Sequence, residues 1–104
     1  VFKHLAADHP RSGSIQETYA ELLSAVDNPG SRQQALQQWR RVAQHSPPKS
    51  TRWYRAKYQV ARTYFRLGQP KQTAARLRYL QATSGWEDSG MKAQFEALLK
   101  RSQP

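Results

Sequence analysis

Apolar residues recur along this chain at intervals of three and four, the spacing that places them on one side of an α-helix. Ile15, Tyr19, Leu22, Leu23 and Val26 follow a Ser12-Gly13-Ser14 start and precede Asp27-Asn28-Pro29-Gly30, which predicts a helix over 14–27. Ala35, Leu36, Trp39, Val42 and Ala43 continue the period over 31–45 and stop before Ser46-Pro47-Pro48, where two prolines cannot extend a helix. A third run, Trp53, Tyr54, Ala56, Val60, Ala61, Tyr64, Phe65 and Leu67, starts at a capping Ser50 or Thr51 and closes at Gly68. Pro70 opens a fourth helix carrying Ala74, Leu77, Tyr79 and Leu80 as far as Thr83-Ser84-Gly85, and Met91, Phe95, Leu98 and Leu99 mark a final one over 89–101. Strict apolar–polar alternation never lasts beyond a few positions, so the pattern predicts an all-α chain.

The two central helix pairs are related by an internal repeat. Gly68 follows Gly30 by 38 residues, and each glycine is expected to close a first helix. Leu22-Leu23 and Val26 precede one glycine as Val60-Ala61 and Tyr64 precede the other; Ala35, Trp39 and Val42 follow as Thr73, Leu77 and Leu80 do. Self-similarity at this length is the signature of stacked helical hairpins. Ala35 and Ala61 are small where paired helices approach closely, while Trp39, Tyr64 and Leu77 are large enough to fill the space between hairpins.

The first copy resembles the tetratricopeptide repeat: Tyr19, Leu22, Val26, Gly30, Ala35, Trp39, Val42 and Pro47 stand at that family's intervals, with Leu23 in place of the usual small residue. The second copy keeps Val60, Ala61, Tyr64 and Gly68 but has Lys57, Thr73 and Gly85 where an aromatic, an Ala and a Pro belong. Phe2, Leu5 and Pro10 repeat the interval of Trp39, Val42 and Pro47. The resemblance implies a right-handed stack of antiparallel helix hairpins, a superhelix of about five to six helices. In it, residues 1–10 end a preceding repeat, 14–47 and 51–85 form two repeats, and 89–101 form a C-terminal cap, the whole expected to be part of a longer chain.

Charge sharpens the functional expectation. The formal net charge is +10, and the acidic residues lie toward the ends, at Asp8, Glu17, Glu21 and Asp27, then Glu87, Asp88 and Glu96. Between Asp27 and Glu87 only positive charges occur, from Arg32 through Arg78, so acidic partners would be steered to this stretch. In the family it resembles, first helices line a concave groove that holds a partner segment. Here that face carries Arg55, Tyr58, Arg62, Phe65 and Arg66, and the resemblance implies a non-catalytic protein-interaction or scaffold module taking an acidic segment there. The plainer alternative is a solvated arginine face. The family's carboxylate-gripping pattern for chaperone tails is missing, since Ala20 and Ser24 occupy the first-copy positions and no Asn accompanies Arg62 and Lys100.

RNA or DNA is the rival partner, because basic residues interleave with Trp53, Tyr54, Tyr58 and Tyr64. The spread of Arg40, Arg41, Arg76 and Arg78 on second helices and Arg55, Arg62 and Arg66 on first helices argues against a single nucleic-acid stripe. Self-association through exposed hairpin ends is a third reading. Neither enzyme chemistry, metal nor cofactor is expected. The three histidines, His4, His9 and His45, are scattered near helix ends, there is no cysteine, and the glycines are isolated rather than gathered in a phosphate loop. Without thiols the sequence names no compartment. No apolar run approaches the roughly 20 residues that cross a bilayer. In the loop 84–90, Trp86 is expected to pack under the terminal helix.

Overall fold

The structure, a computed structural model, describes Lys3 and residues 12–103. Residues 1–10, expected to end a preceding repeat, fall outside that description apart from Lys3, as do His4 and His9. Residues 12–103 hold five α-helices and no strand: α1 Gly13–Ala25, α2 Pro29–His45, α3 Thr51–Arg66, α4 Pro70–Thr83 and α5 Lys92–Ser102. Each packs on the next across a short connection, and α3 also touches α5.

The helix ends follow from local chemistry. The Asn28 side chain accepts from the Ser31 amide at 2.8 Å, and the Ser50 hydroxyl accepts from the Trp53 amide at 3.2 Å, satisfying amides that helix starts leave orphaned. Pro29 and Pro70 open α2 and α4, where a missing N–H costs nothing. Gly68 ends the third helix at a φ of +76°, as expected. Gly30 does not close the first helix: it lies in the first turn of α2, because Asn28-Pro29 is a strong cap and start that begins the helix two residues before the predicted position. The final helix starts at Lys92, later than the predicted 89, with Met91 outside it.

Two apolar clusters share α3. Ala20, Ala35, Leu36, Trp39, Val42, Ala43, Ala56 and Val60 form one, with Leu23 and Tyr64 packed against it. Tyr54, Ala61, Leu77, Leu80, Trp86, Phe95 and Leu98 form the other. Thus α3 turns Ala56 and Val60 toward the first hairpin while Tyr54 and Ala61 face the second. Trp86 packs under the terminal helix as expected, its ring stacked on Phe95 at 5.1 Å and 3°.

The first helix departs from its predicted stripe. Its buried residues are Gln16, Glu17 and Ala20, whereas Leu22 and Val26 are 47% and 46% exposed. Polar partners explain the rotation. The Gln38 side-chain amide donates to the Gln16 backbone carbonyl at 3.0 Å and to its Oε1 at 2.7 Å, and Glu17 meets two arginines. Buried polar groups are tolerated when they are paired in this way.

Candidate functional site

The five residues expected to line a groove, Arg55, Tyr58, Arg62, Phe65 and Arg66, do share one side of α3. Four of them hold neighbouring helices. Arg55 donates from Nε at 2.6 Å and Nη2 at 2.8 Å to the buried Glu17 carboxylate, to which Arg52 adds Nε at 3.2 Å. The Arg55 hydrogen bonds hold the Glu17 carboxyl below its ordinary range, against the opposing push of burial and with further help from Arg52. The same pairing raises Arg55. Arg66 donates to the Ser24 carbonyl at 3.2 Å. Tyr58 meets Phe95 edge-on at 5.6 Å, and the Arg101 guanidinium lies 5.1 Å over the Phe65 ring. Arg62 is exposed and reaches Gln59 on its own helix at 3.4 Å.

These contacts reveal an order. Glu17 and Ser24 on α1 meet Arg55 and Arg66 on α3 in the same sequence direction, and Tyr58 and Phe65 on α3 meet Phe95 and Arg101 on α5 likewise. The helices α1, α3 and α5 therefore run in the same direction, joined by side chains.

Between α2 and α4 an open groove of about 810 Å³ remains. Arg40 and Ala43 come from α2, Trp53 and Lys57 from α3, Arg76 and Tyr79 from α4. Its base is apolar, built from Val60, Ala61, Leu77 and Leu80. No carboxylate lines it, and Arg40, Lys57 and Arg76 have no ion pair among the described residues. Those ion pairs lie elsewhere: Glu17 with Arg52 and Arg55, Asp27 with Arg32, and Glu87 with Lys92 at 2.9 Å.

Two of the groove cations rest on aromatic shelves. The Lys57 ammonium lies 5.3 Å over the Trp53 ring, and the Arg76 guanidinium lies 4.7 Å over Tyr64 while donating to its hydroxyl at 3.1 Å. Burial, reinforced by the charge of Arg76, pushes Lys57 below the ordinary lysine range. Tyr79 beside them is 63% exposed, the most exposed large apolar residue described. Such a surface can receive an anionic segment that also carries apolar side chains.

Periodicity and charge along the chain do not predict this groove. One sequence signal bears on it: Lys57 stands where the resemblance led an aromatic to be expected, and its ammonium lies over the Trp53 ring of the same helix. Among the described residues there is no cluster of His, Asp or Glu able to hold a metal ion, and no helix is long and apolar enough to cross a membrane.

Comparison with known proteins adds no relative. No family model, curated protein or solved structure matches the chain.

Proposed function

We propose that this chain is a non-catalytic binding module built from tetratricopeptide-like hairpins in a right-handed stack, and that it captures an acidic segment of a partner protein. Support for the repeat comes from α1, α3 and α5 running in the same direction, and from Trp39 and Leu77, 38 residues apart in sequence, each less than 3% exposed at the middle of a second helix. The observation that carries the binding reading is the α2–α4 groove, where Arg40, Lys57 and Arg76 stand over an apolar base with no carboxylate to neutralise them. The face of α3 bearing Arg55, Tyr58, Arg62, Phe65 and Arg66 is the weaker candidate, since all but Arg62 are engaged in joining helices.

An acidic protein segment fits better than nucleic acid because the groove pairs its cations with aliphatic surface and is bounded by two helices, whereas the remaining charge is spread over both layers. The test titrates a Glu/Asp-rich peptide containing Leu, and a single-stranded RNA, against the chain at several salt concentrations. Reversing Arg40 and Arg76 to Glu is expected to weaken peptide binding by at least about tenfold, through lost attraction and new repulsion. Reversing Arg62 alone is expected to have a smaller effect. Tighter binding of RNA than peptide, with a steep salt slope, would contradict the proposal.

A further inference from the structure

The Lys57–Arg76 pair sets a narrower requirement on the ligand than a general excess of positive charge. These two cations come from different helices, line one groove, and are each held by an aromatic ring, Trp53 at 5.3 Å and Tyr64 at 4.7 Å. The Tyr64 hydroxyl fixes one edge of the guanidinium at 3.1 Å. Their mutual repulsion is registered at Lys57, whose ammonium is depressed partly by Arg76. Lys57 is half-buried and Arg76 exposed, so an anion can reach both cations, and one that neutralises both relieves their repulsion.

A single carboxylate balances one of the two charges and presents two oxygens. A phosphoryl monoester carries about −1.5 to −2 charge near neutral pH and presents three acceptor oxygens, enough to bridge a guanidinium edge and an ammonium at once. The geometry points to Lys57 and Arg76 as a seat for a phosphorylated serine or threonine within the acidic segment. This inference rests on the proposed acidic-segment function and adds that phosphorylation of the partner tightens binding. Arg40, on the opposite wall, contributes to the general attraction and not to the seat.

The test compares three versions of one Glu/Asp-rich peptide, bearing Ser, phosphoserine or Glu at a central position, by fluorescence anisotropy. The phosphoserine version is expected to bind at least about tenfold more tightly than the Ser version, the gain of one to two charge-assisted hydrogen bonds, with the Glu version closer to Ser. Lys57→Gln and Arg76→Gln, which remove the charge and keep a polar side chain, are expected to weaken all three peptides and to bring the phosphoserine-to-Ser ratio near one. Arg40→Gln is expected to weaken all three while preserving the ratio. A second arm adds inorganic phosphate to the chain alone and follows Trp emission against chloride at matched ionic strength, with Trp53→Phe as reference. A saturable response that depends on Trp53, Lys57 and Arg76 is expected.

The two failures are distinguishable. Peptides that bind with no phosphoserine preference, or a preference that survives in the Lys57 and Arg76 variants, overturn the seat and leave the acidic-segment function standing. A saturable phosphate response without binding of any peptide, the phosphopeptide included, overturns that function and with it the phosphoserine assignment, leaving a site for free phosphate alone. A phosphate response equal to that of chloride counts against the seat, and RNA that competes as well as the phosphopeptide overturns the assignment to a monoester.

Discussion

Glu17 on α1 accepts two hydrogen bonds from Arg55 on α3, at 2.6 and 2.8 Å. Arg52 adds a third contact to the same carboxylate, and Arg66 reaches the Ser24 carbonyl nearer the other end of α1. The first and third helices are thus joined by arginine side chains, and one buried carboxylate is the centre of the joint. The arginines themselves are 36% and 43% exposed, so solvent moderates the strength of each pair.

Acid is expected to loosen this joint. The carboxyl of Glu17 titrates below its ordinary value of 4.5 in the folded chain, so its contribution is complete above that value and is lost as pH falls through the depressed one. Glu17→Gln should cost about 1–2 kcal/mol at pH 7, less than a fully buried charged hydrogen-bond set because the arginines remain hydrated. The difference between variant and parent in denaturant midpoint should shrink between pH 5 and pH 2. A difference that stays constant over that range would remove Glu17 from the joint.

The two glycines that align in sequence should respond oppositely to alanine. Gly68 sits at a φ of +76°, where an L side chain is strained, so Gly68→Ala should destabilise by about 1–2 kcal/mol. Gly30 is helical and an added Cβ would come no nearer than 3.4 Å to the Asn28 side-chain oxygen, so Gly30→Ala should be neutral or stabilise by up to about 1 kcal/mol. Thermal or urea unfolding of the two variants measures both signs.

The stack of Phe95 on Trp86 closes the C-terminal end of the second apolar cluster. Phe95→Leu removes ring contacts to Trp86, Tyr54 and Tyr58 and should cost roughly 1–3 kcal/mol. Trp86 is 1% exposed, so the loosened pocket should shift its emission to longer wavelength. Unchanged stability and emission would place these rings outside the core.

The orientation of α1 can be tested with a contrasting set. Leu22→Gln and Val26→Thr should each change stability by no more than about 0.5 kcal/mol, because both residues face outward. Leu36→Ala, at a residue 4% exposed, should cost about 2–5 kcal/mol. Equal costs at Leu22 and Leu36 would restore the sequence-predicted stripe.

That contrast shows where sequence alone was informative. Helix existence and most boundaries were legible, because capping Ser50, the prolines 47, 48 and 70, and Gly68 have strong local preferences that tertiary contacts did not override. The burial of Trp39, Val42, Leu77 and Leu80 was legible for the same reason, each lying on an unambiguous apolar side of its helix. Helix α1 was misread because period alone cannot show that Gln16 and Glu17 find partners 22 and 38 residues away, which makes their side the one that is buried. The groove was missed on similar grounds. Arg40 and Arg76 look like solvated charges in sequence, and only the separation of α2 from α4 gathers them with Lys57 around one concavity.

Backbone amide shift mapping by NMR during titration with the Glu/Asp-rich peptide tests most directly whether this groove is the binding surface. Saturable shifts concentrated at Arg40, Lys57, Ala75, Arg76 and Tyr79 are predicted, with Arg62 and Arg66 unaffected. Shifts centred on Arg55, Arg62 and Arg66, or none at peptide excess, would contradict it.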